Sequence, residues 1–207
     1  MKTNTIIWCA ALAATSLCPG LAGGQTIDTT FNNVAPSLII KGRFVSGATY
    51  KSYNSGVMNF KDVTFDAFCV DPWQTISSNQ ALTYQIQDIS TLKNAAIISR
   101  LVGGFLASTQ SASEAAAVQW AIWEVLAETS SSFTLSSGDV KIDSVNSATR
   151  DLANTYLANQ ASFTGVQLTY LTNSKSQDMV TWQVVPEPTS AALCALSSIF
   201  LLRRRRK

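Results

Sequence analysis

The chain of 207 residues contains no histidine. Its absence removes Ser-His-Asp and Cys-His catalysis and leaves no Cys/His cluster for a structural zinc ion. Carboxylates are scattered without a spacing that singles out a glycosidase pair. Gly103-Gly104 lacks the Lys and Ser/Thr that follow in a phosphate-binding loop. Most familiar hydrolases are thereby excluded, and we expect neither a metal site nor a cofactor.

Cysteine is also scarce, with four in the chain. Cys9, Cys18 and Cys194 fall in terminal segments that we expect to be removed, as argued below. Only Cys69 remains in the mature protein. Exported proteins usually pair their cysteines, so a single cysteine is inert in the core, bonded to another chain, or reactive.

The C-terminal segment, residues 186–207, combines a proline break, an apolar run and a basic end. The break is Pro186-Glu187-Pro188, and it cannot continue a strand or a helix. A helix from 189 to 202 would rise only about 21 Å, short of a hydrocarbon core of about 30 Å. This length suits transient membrane insertion better than a permanent anchor. The basic residues that would stop transfer at the cytoplasmic face are Arg203, Arg204, Arg205, Arg206 and Lys207.

In order, spacing and position, this segment resembles the PEP-CTERM tail of exported bacterial proteins. The resemblance implies an exosortase-type sorting enzyme as a partner and a destination in the cell envelope, at the cell surface or in the extracellular matrix. An ordinary tail-anchored protein is the alternative.

The N-terminal segment, residues 1–24, agrees with export. Lys2 precedes an apolar stretch and small residues end it, which predicts a signal peptide cleaved between Gly24 and Gln25. Residues 25–185 then form one domain of ordinary size. They hold 9 basic and 12 acidic side chains, a net charge of −3 against +2 for the whole chain. Nucleic acid is therefore not expected as a partner.

Sequence patterns in residues 25–185 predict an α+β fold with a β-rich N-terminal half, about three helices and a C-terminal strand pair. Residues 25–36 are predicted to be irregular. Strands are expected at 37–45, 57–70, 165–171 and 179–185, with Cys69 at a strand end. The first helix is expected from 90 or 91 to its end at Gly103-Gly104. The second follows a capping box at 111–114, and the third spans 147–159, burying Ala148, Leu152 and Tyr156.

Gln119 lies in the second predicted helix, on the side opposite a charged stripe. That stripe is formed by Glu114, Glu124 and Glu128, with Ala117 and Ala121 between them. The neighbours of Gln119 at three and four residues are apolar. A primary amide on such a face must find several hydrogen bonds, so a special partner is expected.

The segments Phe68-Cys69-Val70-Asp71 and 118–123 (Val-Gln-Trp-Ala-Ile-Trp) resemble the two signatures of the thioester domain of bacterial surface adhesins. The resemblance covers about residues 37–126. It implies a Cys69–Gln119 thioester, with Phe68, Trp120, Ile122 and Trp123 packing around it. The family commonly has Thr directly before the glutamine, where this chain has Val118.

The implied function is covalent attachment: a surface amine or hydroxyl, from a protein lysine or a polysaccharide, attacks the Gln119 carbonyl. The product is an isopeptide or ester bond, formed in a single turnover and therefore not enzymatic. The alternatives are a structural envelope or biofilm-matrix protein with an unreactive Cys69, and a protein linked to another chain by a Cys69 disulfide.

Overall fold

The computed structural model describes residues 25–129 and 132–182. The predicted signal peptide and sorting tail lie outside the described residues. The described chain is a single α+β domain, as the sequence predicts. Its strands are β1 (Thr26–Arg43), β2 (Lys51–Phe60), β3 (Asp66–Cys69), β4 (Ala81–Gln87), β5 (Lys141–Ile142), β6 (Thr169–Thr172) and β7 (Met179–Thr181). Its α-helices are α1 (Ala95–Leu106), α2 (Ala112–Ala127) and α3 (Ser147–Asn159).

The long strand β1 organises an antiparallel sheet of seven strands. Its first residues pair with β4, and the remainder pairs with β2. Because β2 continues to β3, β7, β6 and back to β4, the pairings form a closed circuit. The short β5 extends the sheet at the end of β1.

Helix α2 is the centre of the molecule. It packs against α1, α3, β1 and β2, and every residue from 115 to 125 is buried. Four small residues at 115, 116, 117 and 121 are alanines with no exposed surface, which lets these elements approach the helix on several sides. A cap at its N-terminus is complete: Ser111 Oγ accepts from the Glu114 amide, and Glu114 Oε2 accepts from the Ser111 amide.

The strand predictions are correct in kind and wrong in several bounds. Residues 26–36, predicted as irregular, form the first part of β1, because residues 26–30 pair with β4 and residues 31–34 pair with β2. The predicted strand 57–70 is two strands, β2 and β3, separated by a turn. Strand β4 was not predicted, although Leu82, Tyr84 and Ile86 alternate with polar residues. The predicted strand 165–171 begins later, at Thr169.

Helix α1 does not end at Gly103-Gly104, as predicted, but continues to Leu106. Both glycines serve close packing: a Cβ on Gly103 would collide with the Thr164 backbone, and one on Gly104 with the Phe163 ring. Helix α3 has the predicted bounds and buries Tyr156. The other two predicted positions differ, since Ala148 is exposed and Leu152 is half-buried.

The charged stripe of α2 would be expected to face solvent, but the structure buries most of it. Glu124, Ala117 and Ala121 are fully buried, and Glu128 is nearly so. The segment after α2 covers this side: the Thr134 amide donates to Glu124 Oε1, and the Asp139 amide donates to Glu128 Oε2. Leu135 within this segment is buried, although the sequence favours an exposed loop at 129–138.

Candidate functional site

Cys69 is the last residue of β3, and its backbone N–H and C=O point away from the neighbouring strand β7. The amide of the next residue, Val70, donates to Asp178 O on the β7 side at 2.9 Å. Because successive residues of a strand direct their peptide groups to opposite sides, the N–H and C=O of Cys69 face the β2 side. There β2 pairs with β3 only at Asp66 and Ala67. The Cys69 peptide groups therefore need another partner.

The side chain of Gln119 supplies that partner. The Cys69 amide donates to Gln119 Oε1 at 3.0 Å, and Gln119 Nε2 donates to the Cys69 carbonyl at 2.8 Å. The carboxamide thus occupies the place of a neighbouring strand. Gln119 is 1% exposed and Cys69 is 3% exposed. The structure brings the two predicted residues into direct contact from 50 positions apart in the chain.

The Cys69 thiol lies in a turn and is held as a neutral group. Its Sγ is 3.2 Å from the Asp71 carbonyl and 3.3 Å from the Asp71 amide. Burial raises the pKa of the Cys69 thiol to about 12, and the charges of Asp71 and Asp178 act in the same direction. Hydrogen bonding from the Asp71 backbone offsets part of this rise. A thiolate at this position is therefore a minor species at neutral pH.

Trp123 is the third member of the site. It is 3% exposed, and its indole N–H makes no hydrogen bond of ordinary geometry within the part of the chain that the structure describes. The same N–H nevertheless lies near enough to the thiol to lower its pKa somewhat. An unpaired buried donor beside a nucleophile is suited to stabilising negative charge.

An open cavity of about 400 Å³ leads from the surface to these three side chains. Its inner end includes Cys69, Gln119 and Trp123, and its mouth includes exposed residues of β1, β2 and the segment 72–78. Gly56 forms part of the wall where β2 passes β1. A Cβ there would collide with the Pro36 carbonyl, so this close approach requires glycine.

The other residues predicted around the site take different places. Trp120 packs edge-to-face against Trp123, stacks on Phe44 and donates from Nε1 to Ser55 Oγ at 2.9 Å. Phe68 packs against Phe105 and Trp182. Ile122 is fully buried in the core. Of the four predicted packing residues, Trp123 alone lines the cavity.

The cavity itself was not predicted. Its wall carries the carboxamides of Asn33, Asn54, Gln74 and Gln177, which come from four separate segments. No sequence pattern links these residues, because the pairing of β1 with β2 and the turn after β3 bring them together.

Three further findings complete the description. Within residues 25–129 and 132–182, no three His, Cys, Asp or Glu side chains are grouped so as to hold a metal ion. In the same residues, no helix has the length and apolar character needed to span a bilayer. Comparison of the chain with known protein families, curated proteins and solved structures yields no match.

Proposed function

We propose that this protein is an exported cell-envelope or extracellular-matrix protein that forms a Cys69–Gln119 thioester and uses it for covalent attachment to a surface. One observation carries the proposal: the Gln119 carboxamide is seated directly on Cys69 at the inner end of an open cavity. A bond-forming pair needs this contact, and its nucleophile needs such an entrance.

The contacts are suited to forming the bond. Cys69 sulfur attacks Gln119 Cδ, the S–C bond forms, the C–N bond breaks, and the thiol proton leaves with the nitrogen as ammonia. The Cys69 amide, already donating to Oε1, stabilises the negative charge that develops on this oxygen. The Cys69 carbonyl holds the departing nitrogen through Nε2. Burial then shields the product from water.

In the capture step sulfur is the leaving group, and the surface amine or hydroxyl is the nucleophile. An amine or hydroxyl entering through the cavity attacks the Gln119 carbonyl carbon, its bond to carbon forms, and the S–C bond breaks. The proton of the nucleophile passes to sulfur, and Cys69 returns as a thiol. Each protein molecule reacts once and is not regenerated, so the protein attaches covalently and is not an enzyme.

A structural envelope or biofilm-matrix protein is the second candidate function. It is favoured by the same two hydrogen bonds, since they satisfy the buried Gln119 amide without any covalent bond. The raised pKa of Cys69 fits an unreactive thiol as well. A disulfide to another chain is less favoured, because the sulfur-bearing residue is almost fully buried.

Intact mass of residues 25–185, measured before and after incubation with methylamine, separates the two candidates. Before incubation, a thioester predicts a mass about 17 Da below that of the unmodified chain, because ammonia is lost. After incubation, this species should be replaced by a methylamine adduct. Cys69→Ala and Gln119→Ala should abolish both signals. Asn32→Ala is the matched control, because this residue is exposed and lies outside the cavity lining. An unmodified mass with a freely titratable Cys69 contradicts the proposal and leaves the structural protein.

Export and sorting form the other half of the proposal, and they are supported by the sequence of the two termini. The signal peptide directs residues 25–185 out of the cytoplasm. An exosortase-type enzyme recognises Pro186-Glu187-Pro188 while the helix 191–202 is transiently inserted in the membrane. The attachment domain is thereby delivered to the face of the cell where surface nucleophiles are found.

A further inference from the structure

The wall of the cavity at Cys69 is polar but uncharged. Seventeen described residues line it, and none of them is Asp, Glu, Lys or Arg. By contrast, the chain as a whole is 14% charged. A site for an extended acidic or basic partner would place opposite charges along this wall, since charged groups gain most from paired partners when desolvated. The wall instead suits a neutral ligand.

Four carboxamides on this wall are free to bind. The side chains of Asn33, Asn54, Gln74 and Gln177 make no hydrogen bond to any other described residue. Each carboxamide offers both a donor and an acceptor. A sugar hydroxyl also donates and accepts, so the hydroxyls of a sugar are complementary to these carboxamides. Charged ligands use only one of these two capacities.

Aromatic rings complete the wall. Phe31, Tyr53 and Trp123 line the cavity beside the carboxamides. Rings of this kind cover the apolar C–H faces of a sugar, while the amides bind its hydroxyl edge. The volume of about 400 Å³ lies in the range of cavities that hold small molecules.

A lysine side chain fits the same cavity poorly. At neutral pH the lysine amine is an ammonium ion. No carboxylate on the wall offsets the free-energy cost of removing this charge from water.

We infer that the nucleophile captured by this protein is a hydroxyl group of a neutral polysaccharide, joined to Gln119 as an ester. The inference rests on the proposed thioester and names its substrate class. In the reaction the sugar O–C bond forms, the Cys69 S–C bond breaks, and the hydroxyl proton passes to the Cys69 sulfur. The carboxamide wall positions the sugar, and the Gln119 carbonyl receives the oxygen.

The test uses the mature protein, purified after export and shown by methylamine to react. It is incubated at neutral pH with maltohexaose, cellohexaose, mannohexaose or hexa-N-acetylchitohexaose, and in parallel with Nα-acetyl-lysine at equal concentration. We expect an adduct of one oligosaccharide per chain, exceeding the lysine adduct at least tenfold. Hydroxylamine should release the sugar, because it cleaves esters and leaves amides intact. Sugar adducts must be absent in Cys69→Ala.

A charge introduced into the wall should reverse the preference. Asn33→Asp places a carboxylate in the lining, and we expect it to reduce the sugar adduct at least tenfold and to raise the lysine adduct. Asn32→Asp is the matched control, since this neighbouring residue is exposed and does not line the cavity. It should behave as the unchanged protein.

The outcomes distinguish the inference from the function on which it rests. A protein without the 17 Da loss and without a methylamine adduct overturns both. A methylamine-reactive protein that couples to acetyl-lysine but to none of the four oligosaccharides overturns the inference alone, and identifies protein amines as the target. Equal coupling in the two Asp variants also overturns it, because the wall would then not select the ligand.

Discussion

Glu124 is a buried carboxyl whose ionisation affects the stability of the fold. It has no exposed surface, and only its Oε1 finds a partner, the Thr134 amide at 2.8 Å. Its Oε2 is unpaired among the described residues. Burial raises the pKa of Glu124 to about 7, with smaller contributions from the charges of Glu128 and Asp139. The folded protein therefore binds this proton more tightly than the unfolded chain does.

The sign of the pH dependence follows from this difference. A carboxyl with a raised pKa in the folded state stabilises the fold below its unfolded pKa, near 4.5. That stability is lost as pH rises towards about 7. We expect the free energy of unfolding, measured in urea, to fall by roughly 1–3 kcal/mol across this window. Glu124→Gln should remove most of the fall and be the more stable protein at pH 8.

Glu114→Gln is the control for this effect. Hydrogen bonds, first that from Thr109, lower the pKa of Glu114, so its contribution has the opposite sign. This variant should therefore keep the loss of stability between pH 4.5 and 7. Parallel curves for the unchanged protein and Glu124→Gln would show that Glu124 is not the group responsible.

At the scale of single residues, the sequence singled out two residues that the structure places in contact, but not the residues around them. Gln119 was recognisable because an amide among apolar neighbours needs partners, and Cys69 because it is the single cysteine of residues 25–185. Their contact through the Cys69 backbone follows from where β2 stops pairing with β3, which no local pattern encodes. The wall residues Asn33 and Gln177 could not be predicted either, since a single amide side chain outside a periodic pattern carries no signal.

The cap of α2 is the element-scale feature that is easiest to test. Ser111 Oγ accepts from the Glu114 amide at 3.3 Å, and Ser111→Ala leaves that helix donor without this partner. We expect the loss to lower the free energy of unfolding by about 1 kcal/mol. Ser113→Ala, an exposed position within the first turn, should have little effect. The urea midpoints of both variants provide the measurement.

The Ser111→Ala variant also tests whether the stability of the fold and the reactivity of the Cys69–Gln119 pair are independent. Gln119 lies two turns away from Ser111, so the methylamine adduct should be unchanged while stability falls. Equal stability of the Ser111→Ala and Ser113→Ala proteins would contradict a role for the cap. Such a result would mean that packing of α2 alone fixes its N-terminus.

At the scale of elements, prediction succeeded where the signal is local and failed where it depends on tertiary contact. Helix α3 has the predicted bounds, and the capping box marks the start of α2. The glycines of α1 were interpreted as a helix end, whereas they allow close approach to residues 163 and 164. The glutamates of α2 indicated a solvent face, whereas the segment up to Asp139 covers them.

At the scale of the whole molecule, the final prediction concerns the two terminal segments and the order in which they act. Residues 25–185 lie between two apolar segments whose order predicts export first and sorting second. A helix over the apolar run 191–202 would be too short to span a bilayer of about 30 Å, so we expect the inserted chain to be an intermediate. Cleavage near Pro186-Glu187-Pro188 should then release the domain from the membrane.

We therefore expect replacement of Pro186, Glu187 and Pro188 by alanine to leave the chain uncleaved and bound to membranes. In cells with an exosortase-type enzyme, antibodies against the domain should detect the unchanged protein outside the inner membrane, shortened at its C-terminus. The variant should remain in the membrane fraction at the longer length. Thr189→Ala, directly after the motif, should be processed normally. Identical location and length of all three proteins would contradict sorting by this motif. A domain that still reacts with methylamine in the retained variant would show that attachment chemistry and delivery are encoded separately.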